Sequence, residues 1–323
     1  MLVPAALREM WGLNAVEIDY APVGFGSHHW TVTDDRGDRW FATLDDYAAV
    51  PGAVGRGAEL GSAFRAARAL ADAGLDFVVA PEAARDGSVP VEVARHRWVS
   101  VTRWLDAERL APPETQTPGD RRAVVEVLAR LHAATGQVPG IAVTDDLALP
   151  QRTALDRALE GGIRWGAGPY GDRGRDALAG GAEAVRSALA LWDEASEALL
   201  AGRESWVITH GEPHWRNVLT NEDGLHLVDW DTARLAPAAR DLWHVPGEDD
   251  AAVDAVLADY ADLTGRVVTP QDLRVQTLRW DLTEVALYVA WFSRPHADDA
   301  DSQTAWGGFT ESLSSLAARE AAA

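Results

Sequence analysis

Two residue types are missing from this 323-residue chain: cysteine and lysine. Without cysteine there are no disulfides, no thiolate nucleophile and no Cys-containing zinc site. Without lysine, all 29 basic side chains other than histidine are arginines. No mechanism that needs an amine nucleophile, a Schiff base or a phosphate-binding lysine can then run from a side chain. Long apolar runs are missing too: no stretch approaches the roughly 18–20 consecutive apolar residues that cross a bilayer. The start, Met1-Leu2-Val3-Pro4-Ala5-Ala6, lacks the basic region and apolar core of a secretory signal, so the expectation is a cytoplasmic protein with no membrane partner. Positive charge is scarce: 50 acidic against 29 basic residues give a net charge of -21. That balance argues against nucleic acid as a partner, because phosphate contacts need a basic face. It suits a cationic ligand, and equally a surface that serves only solubility.

What is present is ordinary for a globular protein, with 47% hydrophobic and 24% charged residues, and the length allows two lobes. Trp30–Thr33 and Arg39–Leu44 are β-rich runs around the turn composition Asp34–Asp38. From Glu59 to Ala73, Leu60, Phe64, Ala67 and Leu70 repeat at helical spacing, and Gly74 ends the pattern. Phe77–Pro81 and Arg97–Val101 then read as strands. After Trp104 the character changes. Arg121–Ala134 is a strong amphipathic helix, Thr153–Leu159 and Ala182–Leu200 are further helices, and the Gly-rich stretch Gly161–Gly181 between them, with Trp165, Pro169 and Tyr170, reads as an ordered or semi-ordered loop. The last ninety residues read as mostly helical. These patterns predict an α+β protein with a small antiparallel-sheet lobe over 1–104 and a larger helical lobe over 105–323.

The chemistry concentrates between His210 and Asp231. His210-Gly211-Glu212-Pro213-His214 leads to Asn217, then Thr220-Asn221-Glu222-Asp223-Gly224 turns the chain back to Val228-Asp229-Trp230-Asp231. An Asn-Glu-Asp-Gly stretch between two apolar runs is a hairpin turn, and folding it sets Asn217 beside Asp229 at the open end. An amide oxygen next to a carboxylate is a suitable pair of hard ligands for Mg²⁺. Glu212, on a loop stiffened by Gly211 and Pro213, can face the same point. A carboxylate that orients a hydroxyl beside metal ligands for a nucleotide is the minimum set for phosphoryl transfer.

This spacing matches the kinase catalytic loop and its downstream metal-binding triplet, with Glu in place of Asp at 212 and Asp in place of Gly at 231. Together with Leu235-Ala236-Pro237, Arg240-Asp241-Leu242-Trp243 and the helix holding Leu128–Ala133, it resembles the aminoglycoside phosphotransferase and choline-kinase-like family. The nearest likeness is to an actinobacterial-type branch reading His-Gly-Glu-Pro-His and Asp-Trp-Asp. The resemblance implies a protein-kinase-like two-lobed fold and an ATP-dependent kinase, with GTP as the alternative nucleotide and Mg²⁺ as cofactor. It implies Glu212 as catalytic base and Asn217 and Asp229 as metal ligands. His210, Arg240 and Asp241 would support the loop, and Arg103, Trp104 and Leu105 would form the hinge that pairs with the base. Asp231 is either a metal-side or a bracing residue, and it joins Trp280, Asp281 and Glu284 as an expected substrate contact. The implied acceptor is a hydroxyl of a small natural product such as an aminoglycoside or aminocyclitol, with antibiotic resistance as the associated role and a monomer or homodimer as the state.

The sheet lobe departs from the family. Gly24, Gly26 and Ser27 in Val23-Gly24-Phe25-Gly26-Ser27-His28-His29 resemble a nucleotide-covering loop, but with only two of three glycines. The strand position for the phosphate-binding lysine is Thr43. Either Arg65, Arg68 or the histidines His28 and His29 support the phosphates, or turnover is slow, or the nucleotide is bound without being used. Two rival functions therefore stand beside the first: a kinase of peptide Ser or Thr hydroxyls in natural-product tailoring, and a non-catalytic nucleotide-binding relative. His210-x-Glu212 followed by Pro213 also resembles the start of a zinc deaminase motif, which the absence of cysteine rules out. His210 and His214 could bind a metal directly; a structural role is the stronger expectation for both.

Overall fold

A computed structural model describes residues 2–23, 27–47, 55–247 and 250–321. From the N terminus run α1 (Leu2–Ala6), a π-helical turn, β1 (Ala15–Ala21), β2 (Ser27–Asp34), β3 (Arg39–Asp46) and α2 (Arg56–Asp72). Next come β4 (Val91–Ala94), β5 (Arg97–Arg103), the short β6 (Glu108–Arg109) and α3 (Pro118–Ala133). Three helices follow, α4 (Arg152–Leu159), α5 (Gly171–Gly180) and α6 (Ala182–Ala201). Then come β7 (Val207–Thr209), β8 (Val218–Asn221), β9 (Gly224–Leu227) and β10 (Arg234–Ala236). The chain closes with α7 (Ala239–Leu242), α8 (Asp250–Thr264), α9 (Pro270–Phe292) and α10 (Ala300–Ala321). The elements divide into two compact units, one of residues 1–144 and 206–268, the other of 145–205 and 269–323.

In the first unit, β1-β2-β3-β5-β4 form an antiparallel sheet in that order. Strand alternation gives β3 two faces. Trp40 and Ala42 turn into an apolar core with Val32, Val99, Val101 and the N-terminal Val3 and Leu7. Each such aliphatic side chain removed from water contributes about 1.5–3 kcal/mol. The opposite face carries Phe41, Thr43 and Asp45. Helix α2 starts three residues before the expected Glu59 and buries Leu60, Ala63, Phe64, Ala67 and Leu70, a 3.6-residue stripe. Gly74 ends it in a left-handed conformation at φ +92°, where the Leu75 N–H reaches back to the Leu70 carbonyl, as helix-terminating glycines do. Helix α3 likewise starts earlier than expected. Thr117 and Asp120 form a capping box ahead of Pro118, and each end of that reciprocal pair satisfies a backbone N–H.

The expected strand Phe77–Pro81 does not join the sheet. The Leu227 N–H donates to the Phe77 carbonyl (2.7 Å) and the Val79 N–H to the Leu227 carbonyl (3.1 Å). This segment is therefore tied to the β8–β9 hairpin, and Pro81, lacking an N–H, cannot extend it as a ladder.

The second unit is helical. Asp145, fully buried, pairs with Arg279 of α9 through two contacts of 2.6 and 2.9 Å. The Gly161–Gly181 stretch, expected as a loop, contains helix α5. Two of its glycines are there for space: a Cβ on Gly171 would strike the Gly166 carbonyl, and one on Gly174 would press on the Trp165 ring. Among the described residues, no helix is long and apolar enough to cross a membrane.

Candidate active site

The site is built where β7 ends. Strand β7 pairs with β10 and delivers His210 to a fully buried position. The His210 Nε2–H donates to the Val228 carbonyl (2.8 Å) and its Nδ1 accepts the Glu212 N–H (3.2 Å). One neutral tautomer satisfies both bonds, and burial pushes the imidazole pKa down to about 4. The Trp230 ring lies edge-on to it at 4.7 Å, while Trp230 Nε1 donates to the Leu227 carbonyl. The ring thus pins the catalytic loop to the strand that leads to Asp229.

Beneath the loop sits Asp241, completely buried. Its carboxylate accepts the N–H groups of His210 (2.9 Å) and Gly211 (2.6 Å) and meets His132 Nε2 at 3.1 Å. Burial alone would raise its pKa, but the His132 hydrogen bond and the charge of Arg240 hold it below the ordinary carboxylate value. His132 in turn meets the Tyr260 hydroxyl through Nδ1 (2.8 Å). Arg240 bonds the Thr209 hydroxyl (2.8 Å) and the Thr232 carbonyl (3.1 Å), and Thr232 Oγ1 donates to the His210 carbonyl. Gly211 has φ +103°, and a Cβ there would collide with the Arg240 guanidinium. Only glycine fits both demands.

The hairpin closes with Val218↔Leu227 through Asn221↔Gly224 in register, and Asn221 Oδ1 accepts the Asp223 N–H in the turn. At the open end the Val228 N–H donates to the Asn217 carbonyl (3.0 Å), which sets Asn217 beside Asp229. The Asn217 Nδ2 donates to the Glu212 carbonyl (3.1 Å), so its amide orientation is fixed and its Oδ1 is the end left for a ligand. Asp229 holds a left-handed φ of +67°, a conformation non-glycine residues adopt at a cost. Its side chain is accessible to solvent, yet the protein packed around it, and then the charges of Asp231, Glu212 and Asp45, push its carboxyl pKa well up. Glu212 lies half-buried, with its Oε2 4.0 Å from His214 Nε2. His214 Nδ1 is buried without a hydrogen-bond partner.

His210, Glu212, Asn217, Asp229 and Asp231 thus share one loop-and-hairpin system, with Arg240 and Asp241 of α7 bonded beneath it. Gly24 and Gly26 lie outside the described residues. Ser27 starts β2 and donates to Asp45 Oδ1 (2.7 Å). Thr43 pairs with His29, whose Nδ1 stands 3.1 Å from Thr43 Oγ1, while the His29 ring stacks on Phe41. Arg103 is bonded to Glu82 and covers the Trp40 ring. The Trp104 N–H donates to the Arg39 carbonyl. Leu105 follows with no backbone hydrogen bond among the described residues.

The second unit holds the other three candidates. Asp281 is buried, accepts the Ser315 hydroxyl (2.7 Å) and lies 3.5 Å from Arg319. Glu284 shares a hydrogen bond with Tyr288, and Trp280 is half-buried. Burial raises the pKa of both acids.

Several residues of the site escaped the sequence reading. Asp45 is 3% exposed, with Oδ2 lacking any hydrogen-bond partner, and burial pushes its pKa up to about 7. Its signal was strand alternation, since Asp45 shares a face with Thr43. His132 sat inside the recognised Leu128–Ala133 helix but carried no role there.

Hard oxygen donors from Asn217 and Asp229 fit a divalent cation shared with phosphate oxygens. Among the described residues, no cluster of three or more His, Asp or Glu could hold a metal alone. The donor set therefore suits an ion brought with a nucleotide.

Taken with the sheet and helices, this arrangement defines a protein-kinase-like fold. Over 98% of this chain and 97% of the other, it is similar to the crystal structure of spectinomycin phosphotransferase, APH(9)-Ia, in complex with ADP and spectinomycin, with a TM-score of 0.72 at 14% identity. It is also similar to an amicoumacin kinase in complex with AMP-PNP and Ca²⁺, with a TM-score of 0.62 at 13% identity over 97% of this chain and 92% of that one. In sequence, 263 residues are 30% identical to Protein StrN of Streptomyces griseus, covering 78% of this chain and 76% of the relative. Residues 20–275 match the phosphotransferase enzyme family. The chain belongs to that family, and it is a kinase, a phosphotransferase with an alcohol group as acceptor.

Proposed function

We propose that this enzyme transfers the γ-phosphoryl group of ATP to a hydroxyl of a small, cationic natural product of the aminoglycoside or aminocyclitol kind. The observation that carries the reading is the mutual placement of Glu212, Asn217 and Asp229, locked by the His210–Val228 and Asn217–Glu212 hydrogen bonds. In this reading residues 1–104 form the nucleotide-binding lobe and 105–323 the helical catalytic and substrate lobe. The Leu105 backbone is available to pair with the base. Asn217 Oδ1 and the Asp229 carboxylate would hold Mg²⁺, which when bound neutralises charge on the phosphate oxygens.

Glu212 orients the acceptor hydroxyl and takes its proton as the oxygen attacks phosphorus. The new O–P bond forms while the bond to the β,γ-bridging oxygen breaks, and ADP leaves with that electron pair. The net charge of -21 favours cationic acceptors by long-range attraction, and the likeness to spectinomycin phosphotransferase makes an aminocyclitol the first to test.

A second reading has its own support: Thr43 stands at the expected lysine position, already engaged with His29, as a non-catalytic nucleotide binder could tolerate. Thermal-shift titration with Mg-ATP, followed by ADP release across aminocyclitol, aminoglycoside, nucleoside and peptide acceptors, separates the readings. Stabilisation plus release with an amino sugar supports the first, and release with peptide alone moves the acceptor class. Stabilisation without release on any acceptor supports the binder. No stabilisation with any metal overturns both.

A further inference from the structure

Two arginines that the sequence offered as phosphate supports, Arg65 and Arg68, lie elsewhere. They line a recess of about 350 Å³ with Ala69, Ala83, Val89 and Ile141, and no described residue of the His210–Asp231 loop or hairpin shares it. The recess belongs wholly to the first unit, and its volume is at the small end of small-molecule sites.

Its walls are fixed. Ser62 of α2 donates its hydroxyl to the Ile141 carbonyl (2.6 Å) and accepts the Val143 N–H (3.1 Å). That clips the helix to the segment carrying Ile141, and the Leu235 N–H holds the same segment through the Val143 carbonyl (2.8 Å). On the other side, the Ala84 N–H donates to the Ser88 carbonyl (3.0 Å) and the Gly87 N–H to the Ala84 carbonyl (2.8 Å), closing a turn. The Glu82 N–H ties the start of that turn to the Val101 carbonyl of β5 (2.7 Å). Space remains between the walls because the lining positions 69, 83, 87 and 140 are alanine or glycine.

Inside this frame one charge is left over. Arg68 is bonded to Asp72 (3.1 Å) and Glu82 (2.9 Å), and Arg103 also meets Glu82 (3.3 Å). Those two arginines and two acids neutralise one another. Asp86, in the turn, accepts the Ser88 N–H (2.9 Å). Arg65 has no hydrogen-bond or ion-pair partner among the described residues. Its side chain leans back over the preceding turn of α2, as long helical side chains do. A Cβ on Gly61 would stand 2.9 Å from Arg65 Nη1 and 3.5 Å from the Val89 carbonyl oxygen. The guanidinium is therefore held on the Val89 side of the recess, exposed and without a counterion in a chain of net charge -21.

We infer that this recess binds a small organic carboxylate. Its charged end takes the fork of Arg65, and its short apolar body lies against Ala69, Ala83, Val89 and Ile141. A planar guanidinium meets a carboxylate through two parallel bonds, and the apolar lining removes the body from water. A monoanion suits the recess better than a phosphate dianion, because a second negative charge would face Asp72 and Glu82. The site stands apart from phosphoryl transfer and does not depend on that reading.

Benzoate is the probe, with acetate, benzyl alcohol and phenyl phosphate as comparators. Each is titrated into the native enzyme while the amide resonances of Gly87, Gly140 and Ile141 are followed. Benzoate is expected to saturate those shifts at about the millimolar level. Acetate lacks the apolar body and benzyl alcohol the charge, so each should bind at least about tenfold more weakly. Arg65→Ala should lose about tenfold or more in benzoate affinity, and Arg65→Lys should keep part of it. Ala83→Leu, which fills the recess and leaves the charge, should lose binding too; if it does not fold, Ala69→Val carries the same comparison. The control Arg36→Ala, in the turn between β2 and β3, should bind as the native chain does. No saturation below about 10 mM, or an affinity of Arg65→Ala within about twofold of native, overturns the assignment. So does native-like binding by the folded recess-filling variant, or saturation that moves the Glu212 and Asn217 amides in place of those three. Tighter binding of phenyl phosphate than of benzoate overturns the carboxylate class.

Discussion

The loop from His210 to Asp231 and the sheet face that carries Ser27, Thr43 and Asp45 belong to one unit but are built differently. In the loop most polar groups find close partners, His214 Nδ1 excepted: Asp241 gathers three donors, and both His210 nitrogens are used. On the sheet face, Asp45 buries an oxygen with no partner, and Thr43 Oγ1 stands 3.1 Å from His29 Nδ1. A satisfied network fixes geometry. An unsatisfied buried acceptor costs stability, a pattern that recurs where function is at stake. The His210–Asp231 loop is thus braced in advance, while the sheet face keeps a buried carboxylate oxygen uncommitted.

Four changes would break or sharpen this contrast. The largest effect is expected from Glu212→Gln, which should lower kcat by about 10²–10⁴-fold with little change in melting temperature, measured by ADP release and thermal denaturation. Loss of activity together with unfolding would instead make Glu212 part of the brace.

Asp241→Ala should do the opposite and act on the fold first. It strands the His210 and Gly211 N–H groups and His132 in the interior, at a cost of about 3–5 kcal/mol, read from the urea midpoint. A cost under about 1 kcal/mol would show that the brace under the loop is dispensable.

Acid should find the same brace. Burial holds the pKa of His210 at about 4 and that of His244, whose Nε2 lies 3.3 Å from the Gly211 carbonyl, at about 3, below the ordinary 6.5. Between those values the unfolded chain binds protons that the folded chain does not, so both groups favour folding above about pH 6.5 and lose that contribution as pH falls toward 4. The His210→Asn variant, which cannot titrate, should show a flatter melting temperature over pH 4–6.5.

The smallest change tests the other face. The pKa of Asp45 stands at about 7, so its ionised form is disfavoured in the folded state, and that penalty builds as pH rises from about 4 to 7. Asp45→Asn should therefore raise stability by about 1 kcal/mol above pH 7 and by less at pH 5. A destabilised variant at pH 8 would mean that the Asp45 charge has a partner that supports the fold.

The contrast also explains what could be read in advance. His210, Glu212, Asn217 and Asp229 lie in one contiguous stretch whose hairpin turn is written in Asn221–Gly224, so local spacing sufficed. The brace was legible only in part: Arg240 and Asp241 follow the motif, but His132 and Tyr260 come from α3 and α8, and only the folded chain brings them together. Phe77–Pro81 had the composition of a strand, while its partner, Leu227, is far away in sequence. In Gly161–Gly181 the loop reading fits residues 161–170, while α5 begins at Gly171, where glycine composition hid a helix.

The central claim is a kinase whose nucleotide site works without lysine. Calorimetric titration of the native chain with ATP and with adenosine, each with and without Mg²⁺, tests it most directly. The account predicts that ATP binds at least tenfold more tightly than adenosine, and only when Mg²⁺ is present. Equal affinities for the two, or ATP binding indifferent to metal, would contradict it.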